Sequence, residues 1–162
     1  RQIAEPFTDE EIKSEETKSL IKKMWKIMDE AGGIGLAAPQ ISVSKQLAII
    51  KLDESSERYP EIESSPEYVM FNPSIEYLTD EKQGNWEGCL SVPGLRGYVE
   101  RPSQISVNFT DENLEFKKIN LEGFLATVFQ HEIDHLFGKL YVDRVADKEL
   151  LMYEDELKNL DN

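Results

Sequence analysis

The chain has 162 residues and a formal net charge of −14, with 40% hydrophobic and 31% charged residues, enough for one ordinary core and too short for two comfortable ones. That acidity repels phosphate backbones and anionic lipid, arguing against nucleic-acid and membrane partners, and no apolar run reaches membrane-span length. One cysteine, Cys89, excludes an internal disulfide framework and fits a reducing compartment, so the chain reads as one cytoplasmic domain over residues 1–162.

From Thr8 to Ala31 the pattern predicts a helix. Leu20, Ile21, Met24, Ile27 and Met28 recur at spacings of three and four, which gives one apolar stripe. Thr8 with Glu11 resembles a capping box, and Gly32-Gly33 supplies a stop. In "GGIGLAAPQ" (32–40), Gly33, Gly35 and Ala38 satisfy G-x-G-x-x-A. That dinucleotide fingerprint needs a strand before it and a helix after it, and here a helix precedes and Pro39 follows, so the nucleotide reading fails. What remains is a connector, or a segment whose small side chains let a substrate backbone approach, with Gln40 as an amide donor.

"QLAIIKL" (46–52) predicts a buried strand, and "DESSERYPEIESSPE" (53–67) an acidic surface loop. Short strands are expected at "YVMFN", "SIEYLT", around "GYVER", "QISVNFT" and "LEFKKINLE", the last two joined by a turn at Asp111-Glu112-Asn113. A second helix is expected from about Gly123 to Phe137, with Phe124, Leu125, Val128, Phe129 and Leu136 as its apolar face and Gly138 as its stop. The tail "DKELLMYEDELKNL" reads as a short amphipathic helix. Strands grouped between helices, rather than alternating with them, argue for an α+β fold.

"QHEIDHLFG" (130–138) holds both histidines of the chain, His131 and His135, with Glu132 beside the first. Residues i and i+4 share a helix face, so the two imidazoles can meet at one metal ion while Glu132 reaches a bound water. Two histidines on a surface helix are the plain alternative, which the apolar surroundings disfavour. An open catalytic site needs a third protein ligand. Tyr141 stands where a metzincin would have its third histidine. Glu154 and Glu156 lie near the spacing of a thermolysin-like ligand, and Cys89, in "NWEGCLSVPGLRGYVER", is the remaining candidate. Spacing alone leaves the glutamates and the cysteine open.

"GIGLAAPQ", "EGCLS" and "QHEIDHL", in that order, resemble the three signature motifs of peptide deformylases, and "RQIAEPF" is similar to the segment before their first helix. The resemblance implies mostly antiparallel strands packed around a central metal-binding helix, with an N-terminal helix and a short C-terminal one. It implies Cys89, His131 and His135 as metal ligands, Glu132 as the acid/base residue, Gln40 and the Leu90 N–H as contacts to a formyl oxygen, and Gly35 alongside the substrate backbone. The family's metal is ferrous iron, for which nickel, cobalt or zinc can substitute. Its substrate is the N-formylmethionyl end of a new polypeptide, met in transient proximity to the ribosome, although a basic C-terminal helix like that of some relatives is not matched by this acidic tail. Ile34, Phe124 and Val128 are candidates for an apolar side-chain pocket, with core packing an equal reading for the latter two. Arg96 is a candidate for the peptide's far end, and Glu87, Arg101 and Asp134 are candidate supports or ordinary ion pairs.

Overall fold

The computed structural model of the protein describes residues 1–54 and 62–160. The middle of the expected acidic loop, 55–61, lies outside the described residues. The expected N-terminal helix is two helices, α1 (Asp9–Lys13) and α2 (Glu15–Glu30). Thr8 caps the first through a complete capping box. Ser14 then leaves helical geometry at ψ 153° and accepts from the N–H of Thr17, capping the second. A serine oxygen that satisfies an orphan amide is why one apolar stripe is cut here.

Five antiparallel strands form the first sheet, in the order β1-β2-β3-β6-β7: β1 (Gly35–Ala37), β2 (Leu47–Ile50), β3 (Tyr68–Tyr77), β6 (Gln104–Thr110) and β7 (Phe116–Glu122). The second sheet has three, β4 (Lys82–Cys89), β5 (Val92–Pro102) and β8 (Leu151–Tyr153), in the order β4-β5-β8. "YVMFN" and "SIEYLT" are one strand with a register shift between Phe71 and Ser74, where Asn72 takes a positive φ of 51°. The part of "GIGLAAPQ" expected to be a connector supplies β1 and a 3-10 turn, Ala38–Ile41.

The unbroken apolar run of β2 has a simple cause. Successive side chains of a strand point to opposite faces, and both faces of β2 are covered. Leu47 and Ile49 pack with Met24, Met28 and Phe71 on the α2 side. Ala48 and Ile50 pack with Ala126, Phe129 and Ile133 of α3 (Gly123–Leu136) on the other. The second sheet lies beyond α3 and contributes Cys89 and Val99 to a small cluster with Tyr141. Helix α3 therefore sits between two sheets, which explains why even Gln130, Glu132, Asp134 and His135 are buried.

The tail departs from the expected single helix. Leu151, Met152 and Tyr153 pair with Gly97, Arg96 and Leu95 as β8, and helix α4 (Glu154–Leu160) starts only after that strand. An available edge of β5 outcompeted local helical periodicity. Among the described residues, no helix is long and apolar enough to cross a membrane.

Candidate metal centre and active site

Three elements converge on one point. Helix α3 presents His131 and His135 from adjacent turns, with ring centroids 5.0 Å apart and nearly perpendicular. Strand β4 ends at Cys89, which pairs across a two-residue turn, Leu90-Ser91, with Val92 of β5. That turn stops the strand so that the cysteine Sγ lies 3.4 Å from His135 Nε2. The ligand atoms of Cys89, His131 and His135 lie within 4.8 Å of one another. Among the described residues this is the group of three that could hold a metal ion, and Glu154, the thermolysin-like alternative, is instead paired with Arg96.

The third element is the segment at β1. Gln40 Oε1 accepts from the N–H of Ala37 at 2.8 Å, which fixes the amide so that Nε2 faces Ser91 Oγ at 3.1 Å and Cys89 Sγ at 3.6 Å. Gly35 lies against Glu132, and a Cβ built on it would come within 2.5 Å of Glu132 Oε1. The glycine motif leaves room here for the buried acid.

Glu132 is 5% exposed and its Oε2 has no hydrogen-bond partner among the described residues. Burial pushes its carboxyl up to about 7, and Glu87 adds to the rise while His131 and Arg101 oppose it. A carboxyl with that value is suited to taking and returning a proton near neutral pH. Burial together with the charge of His131 holds His135 down at about 3, leaving a neutral imidazole with a lone pair to donate. Burial alone would lower His131 too, but contacts with Cys89 and Glu87 and the charge of Glu132 outweigh it and raise it to about 10. An ion entering this group must displace that proton.

Behind the histidines runs a chain of buried charges. Glu87 Oε2 lies 2.8 Å from His131 Nδ1, which orients the ring and leaves Nε2 for the centre. Arg101 grips both oxygens of Glu87, at 2.6 and 3.0 Å, and donates to Asp134 Oδ2 at 2.9 Å. Arg144 closes the far end on Asp134 Oδ1 at 2.6 Å. Burial would raise the Glu87 carboxyl, but Arg101 and His131 hold it below the usual carboxylate range. The chain joins β4, β5 and α3 rather than decorating the surface.

A cleft opens on the centre. Its walls include Ile34, Gly35, Gln40, Glu87, Cys89, Leu90, Phe124, Val128, His131 and Glu132, all singled out by sequence. Val128 also belongs to the main core, so its two readings are compatible. Arg96 does not line this cleft. It is 7% exposed, donates to Glu154 Oε1 at 2.6 Å, and lies where a Cβ on Gly88 would meet it at 3.0 Å. Sequence reasoning passed over Trp86 and Thr127, which also line the cleft. Thr127 was findable, because it precedes His131 by four residues and shares its helix face.

The polypeptide deformylase family model matches residues 1–150. The chain belongs to the polypeptide deformylase family. A peptide deformylase of Leptospira biflexa is 45% identical over 97% of this chain and 88% of its own length. Among solved structures, a class I type b peptide deformylase from Acinetobacter baumannii with Met-Ala-Ser bound matches at 37% identity and a TM-score of 0.84, covering 89% of this chain and 90% of that one. A deformylase from Synechococcus elongatus in complex with actinonin matches at 39% and 0.80, covering 92% and 74%. The chain is accordingly a hydrolase of the deformylase family, acting in protein processing, with the α+β, mostly antiparallel fold expected from its sequence.

Proposed function

We propose that this deformylase is a metal-dependent hydrolase that removes the formyl group from the N-terminal formylmethionine of new polypeptides and releases formate. The observation that carries the reading is the meeting of a Cys–His–His donor set with a buried carboxyl, one of whose oxygens has no partner among the described residues. A thiolate and two imidazoles suit a divalent transition metal, and the resemblance to the family makes ferrous iron the first choice, with nickel, cobalt or zinc as substitutes. When bound, such an ion supplies a Lewis acid that brings the acidity of water toward neutral pH.

The chain's own residues account for the remaining steps. Glu132 takes the proton of the attacking water and passes it to the departing amine, and its raised carboxyl value matches both directions. As the formyl oxygen gains charge, Gln40 Nε2 and the N–H of Leu90 donate to it, the former held in place by Ala37. Gly35 keeps the substrate's backbone close to Glu132. Ile34, Phe124 and Val128 receive the methionine side chain, and the peptide beyond it is read through its backbone, which suits an enzyme that meets many sequences. The reading makes it a cytoplasmic enzyme whose partners are formylated nascent chains close to the ribosome.

The test is formate release from formyl-Met-Ala-Ser by nickel-loaded protein. Glu132→Gln should lower kcat by about 1,000-fold or more while metal content stays at one equivalent. A variant that retained turnover would remove Glu132 from the chemistry.

A further inference from the structure

The cleft is not apolar throughout. Thr127 lines it and is only 2% exposed. Its Oγ1 accepts from Gln83 Nε2 at 3.0 Å and from Asn85 Nδ2 at 3.2 Å. Gln83 is itself fixed by donating to the carbonyl of Gly123. Two donors occupy both lone pairs of the hydroxyl, and its own proton finds no acceptor among the described residues. The residue that carries this hydroxyl lines the cleft.

Its position gives that donor a use. Thr127 lies one turn before His131, about 6 Å along the axis of α3, and Phe124 lies about 4.5 Å further on the same face. Along the axis of α3, Thr127 therefore lies between His131 and Phe124. Ile34, Val128 and Trp86 supply apolar walls around it. A purely apolar cleft would admit a thioether and a methylene alike and would reject a strongly dipolar group that found no partner.

We propose that Thr127, oriented by Gln83 and Asn85, determines side-chain specificity by donating a hydrogen bond to a heteroatom near the end of the first residue's side chain. The enzyme then acts on formylated peptides that begin with methionine sulfoxide as well as methionine. The proposal rests on the deformylase reading and deepens it. Thioether sulfur is a weak acceptor and sulfoxide oxygen a strong one, so the effect is small for methionine and large for its oxidised form. Norleucine, which carries a methylene in place of the sulfur, gives the reference.

The experiment compares kcat/KM for formyl-Met, formyl-norleucine and formyl-Met-sulfoxide versions of one tripeptide, using the wild type, Thr127→Val and Thr127→Ser. Calorimetric binding of the three unformylated peptides runs in parallel. The wild type should process the sulfoxide within about tenfold of methionine, and Thr127→Val should lower the sulfoxide-to-norleucine ratio by about tenfold. Thr127→Ser should keep the ratio, since it keeps the hydroxyl. A ratio unmoved by Thr127→Val, or moved equally by Thr127→Ser, would overturn the proposal and leave Thr127 as a brace between β4 and α3. Binding ratios that follow the hydroxyl without any formate release would support the pocket assignment and sink the deformylase reading.

Discussion

At the scale of residues, the centre depends on what is left out as much as on what is present. Gly35 does not adopt a positive φ, so its backbone would tolerate alanine. The obstacle is space, because a Cβ would lie 2.7 Å from both Cδ and Cγ of Glu132. Gly35→Ala should therefore push the acid aside and lower kcat by about 100-fold with metal content unchanged. Steady-state kinetics with metal analysis checks this, and an unaltered kcat would mean that Glu132 has slack. The sequence led to Gly35 for a different contact, the substrate backbone, because its packing on Glu132 joins two motifs 97 positions apart. The Cys–His–His group that could hold a metal was easier to read. Two histidines at helical spacing marked the helix, and the resemblance to deformylase motifs, rather than spacing, singled out Cys89 over Glu154 and Glu156. Arg96 is a different case: it pairs with Glu154, which arrives from a tail whose strand pairing no local pattern announces.

At the scale of elements, the long helices and the β6–β7 hairpin were legible, since caps and turns are written in neighbouring residues. The β4–β5 hairpin was only half legible. "KQGNWEGC" has no clean alternation, and it becomes a strand because β5 runs beside it over most of its length. Asp111 illustrates a local device that can be tested by pH. Its Oδ1 accepts from the N–H groups of Asn113 and Glu115 and so closes the turn between β6 and β7. Burial would raise its carboxyl, but those backbone donors and Lys117 hold it below its ordinary value of 3.8. A lowered folded value means stability present above the unfolded value and lost as pH falls through the folded one. Asp111→Asn should therefore cost on the order of 1 kcal/mol at pH 7 and almost nothing once the pH lies below the folded value. Denaturant unfolding at several pH values checks this, and a cost independent of pH would show that the charge contributes nothing.

At the scale of the whole molecule, two sheets enclose one helix, and the groups proposed for catalysis come from all three bodies. The five-stranded sheet supplies Gly35 and, just beyond β1, Gln40. The three-stranded sheet supplies Cys89, and α3 supplies His131, Glu132 and His135. Burying so many polar groups in one helix is stabilising only when each has a partner. The chain from His131 through Glu87, Arg101 and Asp134 to Arg144 meets that demand for its own members, while Glu132 keeps one oxygen without a partner among the described residues. Only the order of the motifs pointed to this enclosure. The central claim is that Cys89 completes a metal centre that hydrolyses a formamide, and one measurement on cobalt-loaded protein tests both halves. Wild type should take up one equivalent of cobalt, show the near-ultraviolet absorption of a thiolate–cobalt bond, and release formate from formyl-Met-Ala-Ser. Cys89→Ser should lose the absorption and the formate release together. A wild type that carries its full equivalent of cobalt and releases no formate, or a serine variant that keeps turning over, would contradict the account.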